Sequence, residues 1–182
     1  MRASLRTLAF AGCVAVNSAP VALSAEAAAT PDGIAVVDDF ALDRYLGLWY
    51  EIARLDNPFE RGLERVTAEY QPIDQDTIRV INRGYNPEKN KWKEFTARAE
   101  HTGAENEGKL KVTFFWPFSS GYYILDLDTE DYQYALVTGD RKSYLWILAR
   151  SPELPPDVTR RLVEKAKQLG FATEELIWVD HS

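Results

Sequence analysis

Val66-Thr67-Ala68-Glu69-Tyr70-Gln71-Pro72, then Ile73-Asp74-Gln75-Asp76, then Thr77-Ile78-Arg79-Val80-Ile81-Asn82-Arg83-Gly84-Tyr85: two β-rich runs flank a polar connection of four residues. In the first run Val66, Ala68 and Tyr70 fall on one face, and Thr67 and Glu69 fall on the other. The second run sends Ile78, Val80 and Asn82 to a common face in the same way. A period of two is the signature of a strand with one buried side. A connection this short joins strands only in antiparallel fashion.

The same pattern extends in both directions. Eight strands are expected: Gly47–Asp56, Val66–Pro72, Thr77–Tyr85, Lys91–His101, Lys109–Trp116, Gly121–Asp128, Tyr132–Gly139 and Tyr144–Arg150. Their connections are Asn57–Arg65, Ile73–Asp76, Asn86–Asn90, Thr102–Gly108, Pro117–Ser120, Thr129–Asp131 and Asp140–Ser143. All but the first are short, so neighbours in sequence pair as a meander. Eight such strands with one buried face lose their edges by closing into an up-and-down barrel, whose interior just admits one small ligand. A two-sheet sandwich satisfies the same pattern.

One helix follows. Val158, Leu162, Val163, Ala166 and Leu169 form a single stripe, Pro155 and Pro156 fit its first turn, and Gly170 stands where a C-terminal cap belongs. The run Leu176–Val179 suits one added edge strand. The fold class expected is therefore all-β, an eight-stranded antiparallel barrel with one C-terminal α-helix packed outside.

Composition narrows the function. Among 182 residues, aromatics reach 12%, on alternating runs rather than helical spacings, which suits strands bearing large side chains. The formal net charge is −7 and no basic run exists, which argues against a nucleic-acid partner. One cysteine, Cys13, and two histidines, His101 and His181, leave no material for a disulfide or a histidine-cluster metal site. Nothing in the sequence demands a cofactor.

Residues 1–29 read as an address. Arg2 and Arg6 precede an uncharged stretch from Thr7 to Ala25, which ends in the small residues Ser24-Ala25-Glu26-Ala27-Ala28-Ala29. This is the make-up of a secretory signal peptide. Asn17, Ser18 and Pro20 interrupt it, so a membrane-spanning helix is a poor alternative. Phe10-Ala11-Gly12-Cys13 resembles a lipobox, in which Cys13 would be acylated. In the other reading, Cys13 is removed with the signal peptide by cleavage near residues 25–29. Residues 30–37 then lead into a domain spanning 38–182. The product is exported, to the periplasm, or to the outer membrane if Cys13 carries lipid.

Three motifs resemble those of a known family. Phe40-Ala41-Leu42-Asp43-Arg44-Tyr45-Leu46-Gly47-Leu48-Trp49-Tyr50-Glu51-Ile52-Ala53-Arg54 looks like the first lipocalin signature, Asp131-Tyr132 resembles the second, and Tyr144-Leu145-Trp146-Ile147-Leu148-Ala149-Arg150 resembles the third. Phe59 to Glu64, Val80 to Pro87 and Phe171 to Val179 look like the bacterial outer-membrane lipocalins of apolipoprotein D type. The resemblance implies binding and storage or transport of lipids for membrane upkeep. It also implies that Trp49 and Arg150 meet at the closed end of the barrel and brace it, the guanidinium over the indole.

Alternation then sets out a candidate pocket. Tyr70, Asn82, Phe95, Phe114, Trp116, Tyr122 and Trp146 are the expected ligand-binding residues, within inward rows completed by Val66, Ala68, Ile78, Val80, Ala97, Ala99, Leu110, Val112 and Leu148. Both faces of strand six are apolar, and the family pattern favours Tyr122 as the inward residue. A deep apolar lumen with few polar groups suits a fatty acid or a lysophospholipid. Trp116, Pro117 and Phe118 fall at the mouth, where they touch a membrane surface or a second subunit in a homodimer, or fold over the lumen. For an enzyme on the same scaffold, the candidates are His101, Glu51 and Glu100. His101 also reads as a surface residue entering a turn, and a lone carboxylate on a strand is usually solvated or paired.

Overall fold

The computed structural model describes residues 30–115 and 117–182. Residues 1–29, with Cys13 and the expected cleavage region, lie outside the described residues, as does Trp116.

Among the described residues nine strands and two α-helices follow in order, with short 3-10 turns at Pro31–Gly33 and Thr173–Glu175. A short helix α1 (Leu42–Tyr45) leads into β1 (Gly47–Arg54), β2 (Glu64–Pro72), β3 (Thr77–Asn86), β4 (Lys91–His101), β5 (Lys109–Phe115), β6 (Phe118–Leu127), β7 (Tyr134–Thr138) and β8 (Leu145–Ala149). Helix α2 (Pro156–Gln168) and β9 (Ile177–Trp178) complete the chain. Each strand from β1 to β7 pairs antiparallel with the next, and β1 also pairs with β8, Tyr50 opposite Ala149 and Arg54 opposite Trp146. The sheet is closed, which excludes the sandwich.

The connection between strands five and six is tighter than Pro117–Ser120: β6 begins at Phe118, so Phe118, Ser119 and Ser120 lie in the ladder. Helix α1 is an addition that four residues with no apolar period could not announce. Strand β1 ends at Arg54 rather than Asp56.

Partner exchange along β1 shapes the upper barrel. Residues Gly47–Tyr50 pair with β2, whereas Ala53 and Arg54 pair with β9 through Trp178 and Ile177. Strand β2 leaves β1 at a bulge between Glu64 and Thr67, where Arg65 takes a φ of 50° and donates its N–H to the Asp180 carbonyl at 2.8 Å. Residues 55–63 fill the space so opened.

Two cores result. The inner one joins Tyr45, Trp49, Tyr70, Ile78, Ala97, Leu110, Ile124 and Leu148 within the barrel. The outer one buries Ile52, Tyr123, Leu125, Leu136, Ile147 and Ala149 against Leu162 and Ala166 of α2. Strands covered on both faces read as continuous apolar runs, which is why β6 carries Tyr122-Tyr123-Ile124-Leu125 without alternation. A bulge between Ile124 and Asp126 turns the Asp126 carboxylate onto α2, where it accepts from Arg161 at 3.0 and 3.2 Å and from Lys165 at 2.8 Å. That partly buried, three-bonded carboxylate fixes the helix on the wall.

Candidate functional site

The lumen encloses a cavity of about 300 Å³. Its walls are Val66, Ala68 and Tyr70 of β2, Val80 and Asn82 of β3, Phe95 and Ala99 of β4, Leu110, Val112 and Phe114 of β5, Tyr122 of β6, and Trp146 and Leu148 of β8. Tyr70, Asn82, Phe95, Phe114, Tyr122 and Trp146 thus share one cavity. Tyr123, the other candidate on strand six, turns outward beneath α2 and donates its hydroxyl to Asp140 at 3.1 Å.

The floor is closed. Trp49 is fully buried and donates its indole N–H to the Tyr45 carbonyl at 2.8 Å. The guanidinium carbon of Arg150 stands 4.0 Å from the centre of the Trp49 ring. Its three nitrogens donate to the carbonyls of Tyr132, Leu48 and Arg44 at 3.2, 3.0 and 2.9 Å, tying three segments together. Gly47, at a φ of 96°, lets this happen: a Cβ there would stand 3.3 Å from an Arg150 nitrogen. Above the indole, the Tyr122 hydroxyl bonds those of Tyr45 and Tyr70 at 2.7 and 2.8 Å. Burial pushes the Tyr70 phenol up to about 12, and burial likewise holds Tyr45 and Tyr122 above the ordinary range, so all three stay neutral.

One side of the cavity is polar, and Glu51, Asn57 and Glu60 line it. Glu51 accepts from Arg54 at 2.6 Å, and both are buried. Arg54 also donates to the carbonyls of Glu60 and Leu63 at 2.9 and 3.1 Å. Glu60 accepts from the Asn57 amide at 2.5 Å and from the Trp146 indole at 2.9 Å. Burial, then the neighbouring Glu60 carboxylate, pushes the Glu51 carboxyl well above its usual range, against the pull of Arg54.

This cluster adds charged groups to a lumen whose sequence led to an expectation of few polar ones. Strict alternation puts Glu51 and Arg54 on opposite faces. The bulge between Glu51 and Ala53 removes that parity and lets the two side chains meet. Asn57 and Glu60 come from the long connection, whose inward fold no periodicity encodes. Its docking depends on Gly84, where a Cβ would come within 2.9 Å of Leu63.

At the mouth Phe59 stacks on Phe114 with ring centres 5.7 Å apart, and Phe118 is 62% exposed. His101 bonds the Glu107 carbonyl at 2.7 Å and stacks on Phe40, while Glu100 is exposed and pairs with Arg98 at 3.3 Å. Neither lines the cavity. Among the described residues, no three His, Cys, Asp or Glu side chains gather in a way that could hold a metal ion.

A family model described as a lipocalin-like domain matches residues 39–181. The chain is 46% identical over 149 residues to the outer membrane lipoprotein Blc of Vibrio cholerae, covering 82% of this chain and 87% of that protein. To the protein of the same name from Escherichia coli it is 44% identical over 165 residues, covering 91% and 93%. Apolipoprotein D of Mus musculus is 29% identical over 154 residues, covering 81% and 80%. Among solved structures, the cockroach allergen Per a 4 superposes with a TM-score of 0.67 at 17% identity, over 85% of this chain and 96% of that one. Insecticyanin from the tobacco hornworm Manduca sexta superposes with a TM-score of 0.63 at 22% identity, over 84% and 86%. These distant structures speak for the fold alone. The family model and the bacterial relatives, at 44 and 46% identity, carry more: the chain belongs to the lipocalin family.

Proposed function

We propose that this lipocalin is a carrier that holds one single-chain lipid, a fatty acid or a lysophospholipid, in its lumen and serves membrane upkeep in the cell envelope. The observation that carries this reading is the cavity of about 300 Å³, closed at its floor and lined mainly by apolar side chains. That volume sits at the small end of the range for ligand sites, roughly 300–1,000 Å³, and suits one chain better than two. Tyr70, Asn82, Phe95, Phe114, Tyr122 and Trp146 are the contacts of the bound lipid. Trp49 and Arg150 brace the closed end and do not touch the ligand.

The bacterial relatives are named outer membrane lipoproteins, which supports reading residues 1–29 as an export signal, with Cys13 either acylated or removed. No described helix is long and apolar enough to cross a membrane. Phe59 and Phe118, 46% and 62% exposed, give a lipid its first apolar contact on leaving a bilayer. Binding rather than catalysis is favoured because His101 and Glu100 stand away from the lumen, and Glu51, which lines it, is held by Arg54 at 2.6 Å. The direct experiment is mass spectrometry of lipids extracted from protein purified from its own host. A stoichiometric single-chain lipid is the expected result, and consistently lipid-free protein that takes up none on titration refutes it.

A further inference from the structure

Glu60 is 7% exposed, lines the cavity, and accepts from two neutral donors, the Asn57 amide at 2.5 Å and the Trp146 indole at 2.9 Å, with the Glu51 carboxyl beside it. The one guanidinium nearby, Arg54, gives its side-chain bonds to the Glu51 carboxylate and to the carbonyls of Glu60 and Leu63. No cationic side chain bridges Glu60 among the ion pairs of the described residues. Arg54 is thus the partner of Glu51, and Glu60 has no cation of its own in the lumen wall. A carboxylate taken out of water without a counter-charge is costly, and a cation entering the cavity offsets that cost.

The surroundings suit a particular cation. Tyr144 and Trp146 also line the cavity, and their rings stack with centres 5.9 Å apart, 8° from parallel. Ring faces attract ammonium groups, quaternary ones included, which cannot donate hydrogen bonds. Phe59 and Phe114 stand at the mouth beside this wall, and the Leu, Val and Ala rows run from it toward the floor.

We propose that Glu60, with the Tyr144–Trp146 pair, forms a head-group site for an ammonium-bearing amphiphile whose tail lies along the apolar rows. The site rests on the lumen being the ligand site, as read above, and narrows its occupant: an anionic head meets repulsion at this wall, and a positively charged head meets its counter-charge. A zwitterionic lipid is seated by its ammonium end.

The test uses delipidated protein and three amphiphiles of equal chain length, decyltrimethylammonium, decanol and decanoate, followed by intrinsic tryptophan fluorescence and calorimetry. Titrations run in about 1 M salt, where the screening length is about 3 Å and attraction by the acidic surface is suppressed. The ammonium probe is expected to bind about tenfold or more tighter than decanol, with decanoate weakest. In Glu60→Gln the margin of the ammonium probe over decanol is expected to collapse to within about twofold, since Gln keeps an acceptor for Asn57 and Trp146 but not the charge. An ammonium probe no tighter than decanol on the parent protein overturns the head-group site and leaves the lumen reading standing, and this arm needs no variant to fold. A margin that survives in folded Glu60→Gln overturns the site equally. If decanol does not bind at all, the lumen reading fails, and the head-group site fails with it.

Discussion

Arg150 covers Trp49 at 4.0 Å and, through its nitrogens, holds the carbonyls of Arg44, Leu48 and Tyr132, so one side chain ties α1 and β1 to the turn before β7 at the barrel floor. Removing the indole leaves a large hole in the inner core. Trp49→Ala should cost about 3–5 kcal/mol, or roughly 6–20 °C in melting temperature for a domain of this size. Arg150→Ala should fall in the same direction, and neither should lose lipid affinity selectively when assayed well below its melting point. Unchanged melting with abolished binding contradicts the bracing role.

Trp146 reports on the lumen. Its ring lines the cavity while its N–H is engaged by Glu60. Titration with a lysophospholipid should change tryptophan emission, and most of that change should vanish in Trp146→Phe. If the full change persists, another indole senses the ligand and the lipid lies elsewhere.

Phe114 stands between Phe59 and Phe95 on the same wall. Phe114→Asp places a carboxylate where an acyl chain would pack, and should weaken binding about tenfold or more. A folded Phe114→Asp protein that binds long-chain lipids as well as its parent moves the site out of the lumen.

Glu51 ties stability to pH. Burial first and Glu60 second raise its carboxyl in the folded state, despite Arg54. The folded protein thus keeps a proton that the unfolded chain gives up near pH 4.3, and stability falls as pH rises from there through the folded value, by up to about 1.4 kcal/mol per pH unit. Glu51→Gln mimics the protonated form and should melt progressively higher relative to the parent as pH increases across this span. A melting gap that narrows with rising pH means that the ionised carboxylate stabilises the fold.

The mature N-terminus is decided by intact mass. Export with cleavage should start the chain between Glu26 and Thr30, and acylation should start it at Cys13 with the added mass of lipid. A cytoplasmic protein beginning at Met1 sinks both.

What could be read in advance was whatever repeats. Alternation in Val66–Tyr70 or Leu110–Phe114 persists for several residues and encodes which side is inward, and the stripe Val158 to Leu169 does the same for α2. What could not be read breaks a period. The bulge after Glu51 sets Arg54 beside it against parity, the bulge before Asp126 turns that residue onto α2, and Asn57 and Glu60 reach the cavity from a stretch with no period at all. Strand β6 was ambiguous for another reason: α2 makes its outer face as apolar as its inner one, and composition alone cannot say which tyrosine faces the lumen. The candidate site was therefore legible in its hydrocarbon rows and illegible in its charges.

The exchange of partners along β1 has a consequence in time. Its upper half, Ala53 and Arg54, waits for Trp178 and Ile177, and the Ile52 carbonyl waits for the Val179 N–H. At roughly 5–20 residues per second, the 125 positions from Ala53 to Trp178 take about 6–25 s to synthesise. Through that interval one edge of β1 presents unpaired backbone groups, and Arg65 lacks the carbonyl of Asp180 that settles its bulge. The β1–β9 seam, which flanks a barrel closed by β1 and β8, is thus the last to be stitched.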